Sequence, residues 1–310
     1  MRLLFVVDPL AGLKPHKDSS VAMMRAAAAR GHEVHACEAR QLYVRLGTVC
    51  ADCDALDVRA GDDWFHMRGR RESALGDFDA VLMRTDPPVD TDYLLATHLL
   101  GIAEASGARV LNHPAALRDF NEKLAILTFP QFVAPTLVAA QAVEIEAFLI
   151  EHGDVIVKPL TEMGGAGIFR LTVGDPNRNA ILETLTQRGR RAIMAQRYLP
   201  EIADGDKRIL LIDGEVVPWA LARIPQPGET RGNLAAGGTA RAQRLSARDR
   251  EIAETIAPWA KAQGIFLAGL DVIGECLTEI NVTSPTGFQE IAAQAGHDVA
   301  AQFVAALERA

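Results

Sequence analysis

Acidic and amide side chains recur at close spacing near the end of the sequence. Glu279 and Asn281 lie two residues apart in a strand-like run, so their side chains would project from the same face. A two-residue turn at 274–275 separates this run from an apolar run that contains Asp271, and a hairpin would bring all three side chains together. Oxygen donors of this kind suit a hard cation that takes its other ligands from water and phosphate. The spacing therefore predicts a Mg²⁺–nucleotide site.

A lysine and a glycine-rich loop in the middle of the sequence could contact phosphates. Lys158 ends a Val-Ile-Val strand, and the loop 161–169 that follows carries Gly164, Gly165 and Gly167. Glycines let backbone N–H groups approach an anion closely. Neither a P-loop nor a G-x-G-x-x-G pattern occurs. Taken alone, the lysine could be a surface side chain and the loop a β-hairpin turn, but together they predict a flap over nucleotide phosphates.

Further candidate binding residues follow this loop. The segment 194–200 runs from a buried strand into a loop and could offer main-chain hydrogen bonds to an adenine edge. The segment 206–208 and Arg223 add cations on predicted neighbouring strands. The glycine-rich loop 225–238 is long enough to be a lid, and Arg231 could travel with it to a reacting phosphate.

Composition excludes several classes of function. The chain has 310 residues, of which 49% are hydrophobic, which is ample for two or three subdomains. Its formal net charge of −8 argues against nucleic acid or an anionic membrane surface as the main partner. No apolar stretch approaches the roughly 18 residues of a membrane span, and the N-terminus reads as a buried strand rather than a signal peptide. We therefore expect a cytoplasmic location.

The cysteines leave two interpretations open. Cys50 and Cys53 form a C-x-x-C pair, and His35 and Cys37 lie upstream on a predicted strand. Four such side chains could bind zinc. The alternative is a set of buried or loop thiols in a reducing compartment.

Strands and helices alternate along the first part of the chain. This order predicts an α/β fold with an open sheet that contacts ligands at the carboxyl ends of its strands, where Asp8, Arg84 and Asp86 would lie. Three arginines at 68–71 are expected in a solvated loop. Strands are predicted at 2–7, 33–38, 79–84, 109–111, 154–159, 168–172, 192–196 and 266–282, with a hairpin at 207–221 and helices at 18–30, 91–106, 141–152, 176–188 and 246–263.

Taken in order, these features resemble the ATP-grasp superfamily and, within it, the prokaryotic glutathione synthetase family. The resemblance covers nearly the whole chain. It is carried by Lys123, Lys158, the 161–169 loop, 196–199, Asp271 and 279–281, and more specifically by the runs 18–20, 83–88, 121–124, 205–208, 222–225, 229–238 and 279–285.

The resemblance implies a role for each matching residue. Mg²⁺, or Mn²⁺ in its place, would be bound by Asp271, Glu279 and Asn281. ATP would be contacted by Lys123, Lys158, Gly164, Gly165, Gln196, Tyr198, Leu199 and Asp206. Charge that develops during catalysis would be neutralised by Arg208, Arg223 and Arg231. The peptide substrate would lie near Ser19, Ser20, Arg84, Ser284, Pro285, Thr286 and Gly287.

The resemblance also implies an architecture and an activity. An N-terminal substrate-binding α/β domain, residues 1–120, would precede an ATP-grasp domain, residues 121–310, with a small subdomain at about 121–200 and a metal-binding one at about 201–310. The activity would be the ADP-forming ligation of γ-glutamylcysteine and glycine through an acyl phosphate, in a homotetramer. The alternatives are another ATP-grasp carboxylate–amine ligase and a non-catalytic ATP-binding regulatory protein.

Overall fold

The computed structural model of the protein describes residues 1–226, 228, 229, 232 and 237–310. Within these ranges the chain forms three β-sheets with helices packed against them. No helix in the described part of the chain is both long and apolar enough to cross a membrane. The predicted domain boundaries remain predictions.

The first sheet is built on four parallel strands. The strand at residues 2–6 lies between two parallel neighbours and is buried on both faces, which is why its sequence is a continuous apolar run rather than an alternating one. The described strands have the order β3-β4-β2-β1-β6-β7, and β5 pairs with β4. The elements are β1 Arg2–Val6, α1 Ser19–Ala29, β2 Glu33–Cys37, β3 Leu42–Arg45, β4 Thr48–Val58, β5 Phe65–Ala74, β6 Ala80–Met83, α2 Thr91–Ala105, β7 Val110–Leu111 and α3 Pro114–Asp119.

The prediction of a solvated loop at 68–71 is wrong. These arginines lie in β5, which is exposed along most of its length. Arg68 forms an ion pair with Asp57 and Arg70 with Asp54, both across the β4–β5 pair. Cross-strand charge pairs can hold a strand that lacks alternating apolar residues, and the sequence pattern therefore concealed it.

The second sheet is antiparallel and has the strand order β10-β9-β11-β8. Its hydrophobic core is its own, formed by residues such as Ile145, Val157 and Ile193, all nearly fully buried. The elements are β8 Thr136–Ala139, α4 Ala142–His152, β9 Asp154–Pro159, β10 Phe169–Thr172, α5 Arg178–Leu185 and β11 Ile193–Arg197. Strand β8 was not predicted from the sequence.

The third sheet is antiparallel, with the strand order β14-β13-β12-β15-β16. The predicted hairpin between the apolar run and the acidic run is confirmed, with Asp271 directly opposite Glu279. Ser246 caps α6 in a reciprocal capping box with Asp249. The elements are β12 Asp206–Ile212, β13 Glu215–Ile224, β14 Thr239–Arg244, α6 Ala247–Ala262, β15 Leu267–Ile273, β16 Cys276–Asn281, α7 Phe288–Ala295 and α8 Val299–Arg309.

The first and third sheets share a hydrophobic core. One cluster joins Leu3 and Phe5 of β1 to Leu210 of β12 and Phe303 of α8. Buried Asn112 adds polar links, because its amide donates to the carbonyls of Leu267 and Val282 and accepts from the Leu267 N–H. The second sheet contacts this body through Met194 of β11, which is buried in one cluster with Ile209 of β12 and Leu270 of β15.

Candidate active site

Charged side chains form a row across one face of the third sheet. Asp206 and Arg208 lie two residues apart on β12, and each pairs with a charged residue on a neighbouring strand. Arg223 of β13 is opposite Asp206, and Asp271 of β15 is opposite Arg208. Because side chains alternate faces along a strand and cross-strand partners share a face, the register alone brings these groups together. Glu279 continues the row on β16.

Two arginines hold Asp271. The guanidinium of Arg208 donates through Nε and Nη2 to the two carboxylate oxygens, with Nη2 to Oδ2 at 3.0 Å. Arg223 Nη2 lies 2.8 Å from the same Oδ2, and Asn281 Nδ2 donates to it at 3.1 Å. Although burial opposes ionisation, these two positive charges keep the pKa of Asp271 well below its ordinary value. Asp271 is therefore an anion that fixes both arginines.

Asp206 has fewer hydrogen-bond partners than Asp271. It accepts a short hydrogen bond from Arg223, but its Oδ1 atom is buried without a hydrogen-bond partner in the described part of the chain. Burial raises the pKa of Asp206 to about 6, against the opposing effect of Arg223. A buried oxygen without a donor is a position that a cation could fill.

Two buried lysines share Glu279. Lys123 Nζ lies 3.6 Å and Lys158 Nζ 3.8 Å from Glu279 Oε1. Each ammonium also donates to a backbone carbonyl, Lys123 to Glu162 at 2.7 Å and Lys158 to Thr278 at 3.2 Å. Burial lowers the pKa of Lys158, while Glu279 opposes that shift. The lysines thus place two positive charges beside the acidic end of the row.

The turn that carries Lys123 is fixed by its neighbour Asn121. The Asn121 side chain accepts from the N–H groups of Lys123 and Leu124, both at 3.1 Å, and donates to the Leu160 carbonyl at 2.8 Å. This Asx-type turn ties Lys123 to the end of β9, the strand that also carries Lys158. The two lysines are therefore positioned by one local structure.

Glu122 clamps the end of β16, a function that the sequence alone did not reveal. Its Oε1 atom accepts from Val282 N–H at 2.8 Å, Thr283 N–H at 3.0 Å and the Thr283 hydroxyl at 2.9 Å. Its carbonyl accepts from Ile280 N–H at 2.9 Å. The clamp lies directly between Asn281 and the predicted substrate segment 284–287. A polar triplet at 121–123 within an otherwise apolar stretch is the signal that could have identified it.

A cavity lies between the second and third sheets, over Glu279 and the lysines. Its walls include apolar side chains that the sequence analysis did not single out, such as Ile156, Ile168 and Ile273. The predicted residues that line it are Lys123, Lys158, Gly164, Gly165, Gln196, Tyr198, Leu199, Asp206, Asp271 and Glu279.

The loop over this cavity depends on glycine geometry. Gly164 and Gly165 have φ of 64° and 85°, a left-handed conformation that glycine adopts without strain. Both line the cavity, next to Met163. The remaining wall is held by side-chain contacts: Gln196 donates to the Thr136 hydroxyl at 2.9 Å, and the Arg170 guanidinium lies 3.7 Å from the centre of the Tyr198 ring.

The predicted substrate residues form a second cluster at the edge of the first sheet. Arg84 donates to Ser20 Oγ at 3.2 Å and to the Pro285 carbonyl at 3.0 Å. Ser19 Oγ accepts from Phe288 N–H at 3.3 Å, and Ser284 donates to Asp86. Thr286 is exposed beside this cluster, and Gly287 caps α7 with a φ of 113°.

Arg208 lies between the two clusters. A Cβ atom placed on Gly269 would be 2.7 Å from Arg208 Cδ and 2.9 Å from Pro285 Cβ, so both side chains pack against this glycine. Arg208 also holds Asp271, whose carboxylate borders the cavity. The cavity and the predicted substrate cluster are thus adjacent, with a guanidinium at their junction.

Three other predicted features have different outcomes. Arg231 and half of the predicted 225–238 loop lie outside the described residues. The four cysteines are free thiols, and burial raises the pKa of Cys37, Cys50 and Cys53. No group of three or more His, Cys, Asp or Glu side chains in the described ranges is arranged to hold a metal ion, so the zinc hypothesis for His35 and these thiols has no support there.

Solved structures of similar shape define the class of protein. D-cycloserine synthetase DcsG matches with a TM-score of 0.68 at 16% identity, covering 99% of each chain. The ATP-grasp ligase PsnB, in a complex with a minimal precursor, Mg and ADP, matches with a TM-score of 0.63 at 19% identity, covering 99% of this chain and 97% of that one. At these identities the likeness shows the fold alone, which is an ATP-grasp fold.

Sequence comparison places the chain within that class. The model of the prokaryotic glutathione synthetase N-terminal domain matches residues 1–118, and that of the prokaryotic glutathione synthetase ATP-grasp domain matches residues 122–296. The chain belongs to the prokaryotic glutathione synthetase family. Glutathione synthetase of Neisseria meningitidis serogroup A is 59% identical over 312 residues, covering 99% of this chain and 98% of the relative. That of Ralstonia nicotianae is 54% identical over 311 residues, covering 100% and 96%. The predicted fold class and family are confirmed.

Proposed function

We propose that this protein joins γ-glutamylcysteine to glycine in an ADP-forming reaction that proceeds through an acyl phosphate at the cavity over Glu279. Family membership and full-length relatives at 54–59% identity support ATP-dependent glutathione synthesis. They also favour it over the two alternatives raised by the sequence, a ligase with another acceptor and a non-catalytic ATP-binding protein.

One observation of the structure carries the proposal. Four cations, Lys123, Lys158, Arg208 and Arg223, converge with three carboxylates within a single face and its bordering cavity. Phosphoryl transfer depends mainly on positioning and on neutralising the charge of the transferred group. A site with preorganised positive charge and neighbouring oxygen donors is suited to that chemistry.

The divalent cation would be held by Asp271, Glu279 and Asn281. The three side chains share one face of adjacent strands and supply the hard oxygen donors that Mg²⁺ prefers. Asp271 also serves the two arginines, so Glu279 and Asn281 would be the freer donors, and the unpartnered oxygen of Asp206 lies in the same row. When bound, the cation supplies charge neutralisation at the phosphates of ATP. Family membership supports a divalent cation in general, and Mg²⁺ rather than Mn²⁺ is our proposal.

The cavity divides into a polar floor and an apolar wall that match the two parts of ATP. Lys123 and Lys158 would bind phosphates, and the N–H groups of the loop at Gly164 and Gly165 would approach them from the opposite sheet. Ile156 and Leu199 lie on the wall and would contact the adenine, together with Gln196 and Tyr198.

The reacting carboxylate would lie at the junction marked by Arg208. The cysteinyl carboxylate attacks the terminal phosphate of ATP, ADP leaves, and the amine of glycine then displaces phosphate from the acyl phosphate. Arg208 and Arg223 are rigidly held by Asp271 and Asp206, so they can stabilise the developing negative charge without reorganising. We propose that Arg231, which lies outside the described residues, acts from a lid that excludes water from the acyl phosphate.

The central experiment measures phosphate release from Mg-ATP with γ-glutamylcysteine and glycine, omitting each component in turn. We expect release only when both substrates are present, with one tripeptide formed per ADP. Release with a different amine but not with glycine would refute the proposed acceptor, and nucleotide binding without release would refute the reaction. Replacing Mg²⁺ by Mn²⁺ in the same assay tests the choice of metal.

Two remaining expectations concern the protein in solution. The resemblance implies a homotetramer, which sedimentation of the purified chain would test. The sequence composition favours a cytoplasmic location, which fractionation of the source cells would test.

A further inference from the structure

Cys37 and Cys53 lie opposite each other on neighbouring strands of the first sheet. Strands β2 and β4 are antiparallel, with Ala36 opposite Asp54, and continuing this register by one residue pairs the two cysteines. Both side chains belong to one hydrophobic cluster, at 5% and 1% exposure, and both thiols are free. Directly opposed residues of an antiparallel pair have Cα atoms about 4.5–5.5 Å apart. That separation falls within the range of about 4.4–6.8 Å that a disulfide spans.

The C-x-x-C spacing of the sequence suggests a different pair, Cys50 and Cys53, which the strand geometry excludes. Both residues lie in β4, three positions apart. At about 3.3 Å per residue their Cα atoms are about 10 Å apart, and their side chains point to opposite faces of the sheet. A disulfide cannot bridge Cα atoms more than about 7 Å apart. The structure therefore makes Cys37 the partner of Cys53.

The cysteine pair lies where two parts of the first sheet meet. Strands β2, β1, β6 and β7 are parallel, whereas β3, β4 and β5 form an antiparallel extension. The β2–β4 pair joins the extension to the parallel strands. Farther out, β5 is exposed along most of its length, and ion pairs such as Arg70 with Asp54 hold it to β4. A covalent bond between β2 and β4 would fasten the extension to the parallel strands.

We propose that Cys37 and Cys53 form a reversible cross-strand disulfide by exchange with a low-molecular-weight disulfide. Cys53 attacks the oxidant to give a mixed disulfide, and the first small thiol leaves with the Cys53 proton. Cys37 then attacks the Cys53 sulfur, and the second small thiol leaves with the Cys37 proton. Two electrons pass from the protein to the oxidant, which is released as two thiols. This exchange is independent of the proposed ligase reaction, although the product of that reaction would be such a thiol.

Burial of the pair makes the exchange slow. It raises the pKa of both thiols, and only a thiolate attacks a disulfide. Cys53 Sγ donates to the Arg71 carbonyl of β5 at 3.6 Å, so separation of β5 from β4 would uncover it. Because β5 is exposed, this opening leaves the hydrophobic core intact. In a reducing compartment we expect the pair to stay reduced and to respond only to sustained oxidation.

Disulfide mapping tests the pairing. The full-length protein is incubated with glutathione disulfide, alkylated, and digested with trypsin without reduction. Cleavage after arginine places Cys37 in peptide 31–40, and Cys50 and Cys53 together in peptide 46–59. We expect the two peptides to become joined with the loss of two hydrogens, while Cys50 stays alkylated. Excess glutathione should then restore both free thiols.

The effect on the fold is measured as the half-life of the protein at elevated temperature, followed by circular dichroism. Cross-linking a loop of about 15 residues should lengthen the half-life of the oxidised protein by about tenfold or more. Cys53→Ala should lose both the joined peptides and this gain. Cys50→Ala and Cys276→Ala are the matched controls and should keep both. If Cys53→Ala does not fold, Cys37→Ala takes its place, and the wild-type map still decides the pairing.

Three outcomes would overturn the inference. A disulfide confined to peptide 46–59 would make Cys50 and Cys53 the reactive pair. Folded protein that stays fully reduced, under conditions in which the urea-unfolded chain forms disulfides, would show that the opposed thiols do not react. Joined peptides with an unchanged half-life would show that the disulfide does not fasten the extension.

Discussion

Replacing Glu122 should affect stability and metal binding together. Its Oε1 atom accepts three hydrogen bonds, from the Val282 and Thr283 N–H groups and the Thr283 hydroxyl, at 2.8 to 3.0 Å. Glu122→Ala leaves two buried N–H donors unpaired at about 1–3 kcal/mol each, while the hydroxyl can rotate to another partner. We expect a loss of about 2–6 kcal/mol in the free energy of unfolding. Glu122→Gln keeps an acceptor oxygen and, since burial already raises the pKa of Glu122, should cost only about 1 kcal/mol.

The catalytic effect follows from the position of the clamp. Asn281 lies immediately before the clamped residues and Ser284 immediately after them, so a released chain would displace both. A displacement of about 1 Å can cost on the order of 100-fold in rate. Urea unfolding gives the stability change, and phosphate release across a Mg²⁺ titration gives kcat and the apparent metal affinity. Glu254→Ala, at an exposed position on α6, is the control.

Two results would refute this reasoning. A Glu122→Ala enzyme as stable as wild type would mean that the three hydrogen bonds contribute nothing net. A destabilised enzyme with unchanged kcat and unchanged Mg²⁺ dependence would mean that the clamp supports the fold but does not position the site. Recovery of activity by Glu122→Gln, with Glu122→Ala inactive, would be the expected pattern.

Three further predictions test other parts of the site. Lys158→Met removes one of two ammonium groups beside Glu279, so the KM for ATP should rise about tenfold or more, whereas Lys261→Met at an exposed position should not change it. The pKa of Asp206 is raised to about 6 in the folded protein, so the folded state holds its proton more tightly than the unfolded state does. The contribution of Asp206 to the free energy of unfolding therefore falls as pH rises from about 4 to 6. Asp206→Asn should remove this pH dependence, measured by urea unfolding at several pH values. Gly269→Ala places a methyl group 2.7 Å from Arg208 Cδ and should therefore lower kcat. ATP binding, measured by calorimetry, should change little. An unchanged kcat would contradict the position of Arg208 at the junction of the two clusters.

Local pattern predicted those parts of the site that depend on short-range geometry. The two-residue spacing and the turn before it predicted that Asp271 would meet Glu279, and the register confirms it. The pairing of Arg208 with Asp271 was not predictable, because it depends on how strands 63 residues apart are aligned. Glu122 was missed for the same reason: its partners lie 160 and 161 residues away.

Strands without alternation were also missed. Strand β5 is exposed along most of its length and is held by ion pairs, and β14 follows a glycine-rich segment that reads as loop. Pairing with a neighbouring strand holds β5, whereas β14 pairs with β13 and packs only two small side chains, Ala240 and Ala242, against the core. The predicted site roles stay predictions, since geometry shows where the residues lie and activity must show what they do.

The shared core of the first and third sheets has a mechanical consequence. The edge of the first sheet with the predicted substrate residues belongs to the same continuous body as Asp271 and Glu279, joined by Asn112 and a common hydrophobic interior. The second sheet has a hydrophobic cluster of its own, contributes the roof of the cavity, and contacts this body through Met194. Motion of the roof would open the cavity on the side lined by Gly164 and Gly165, while the sheet that carries Asp271 and Glu279 stays joined to the first sheet.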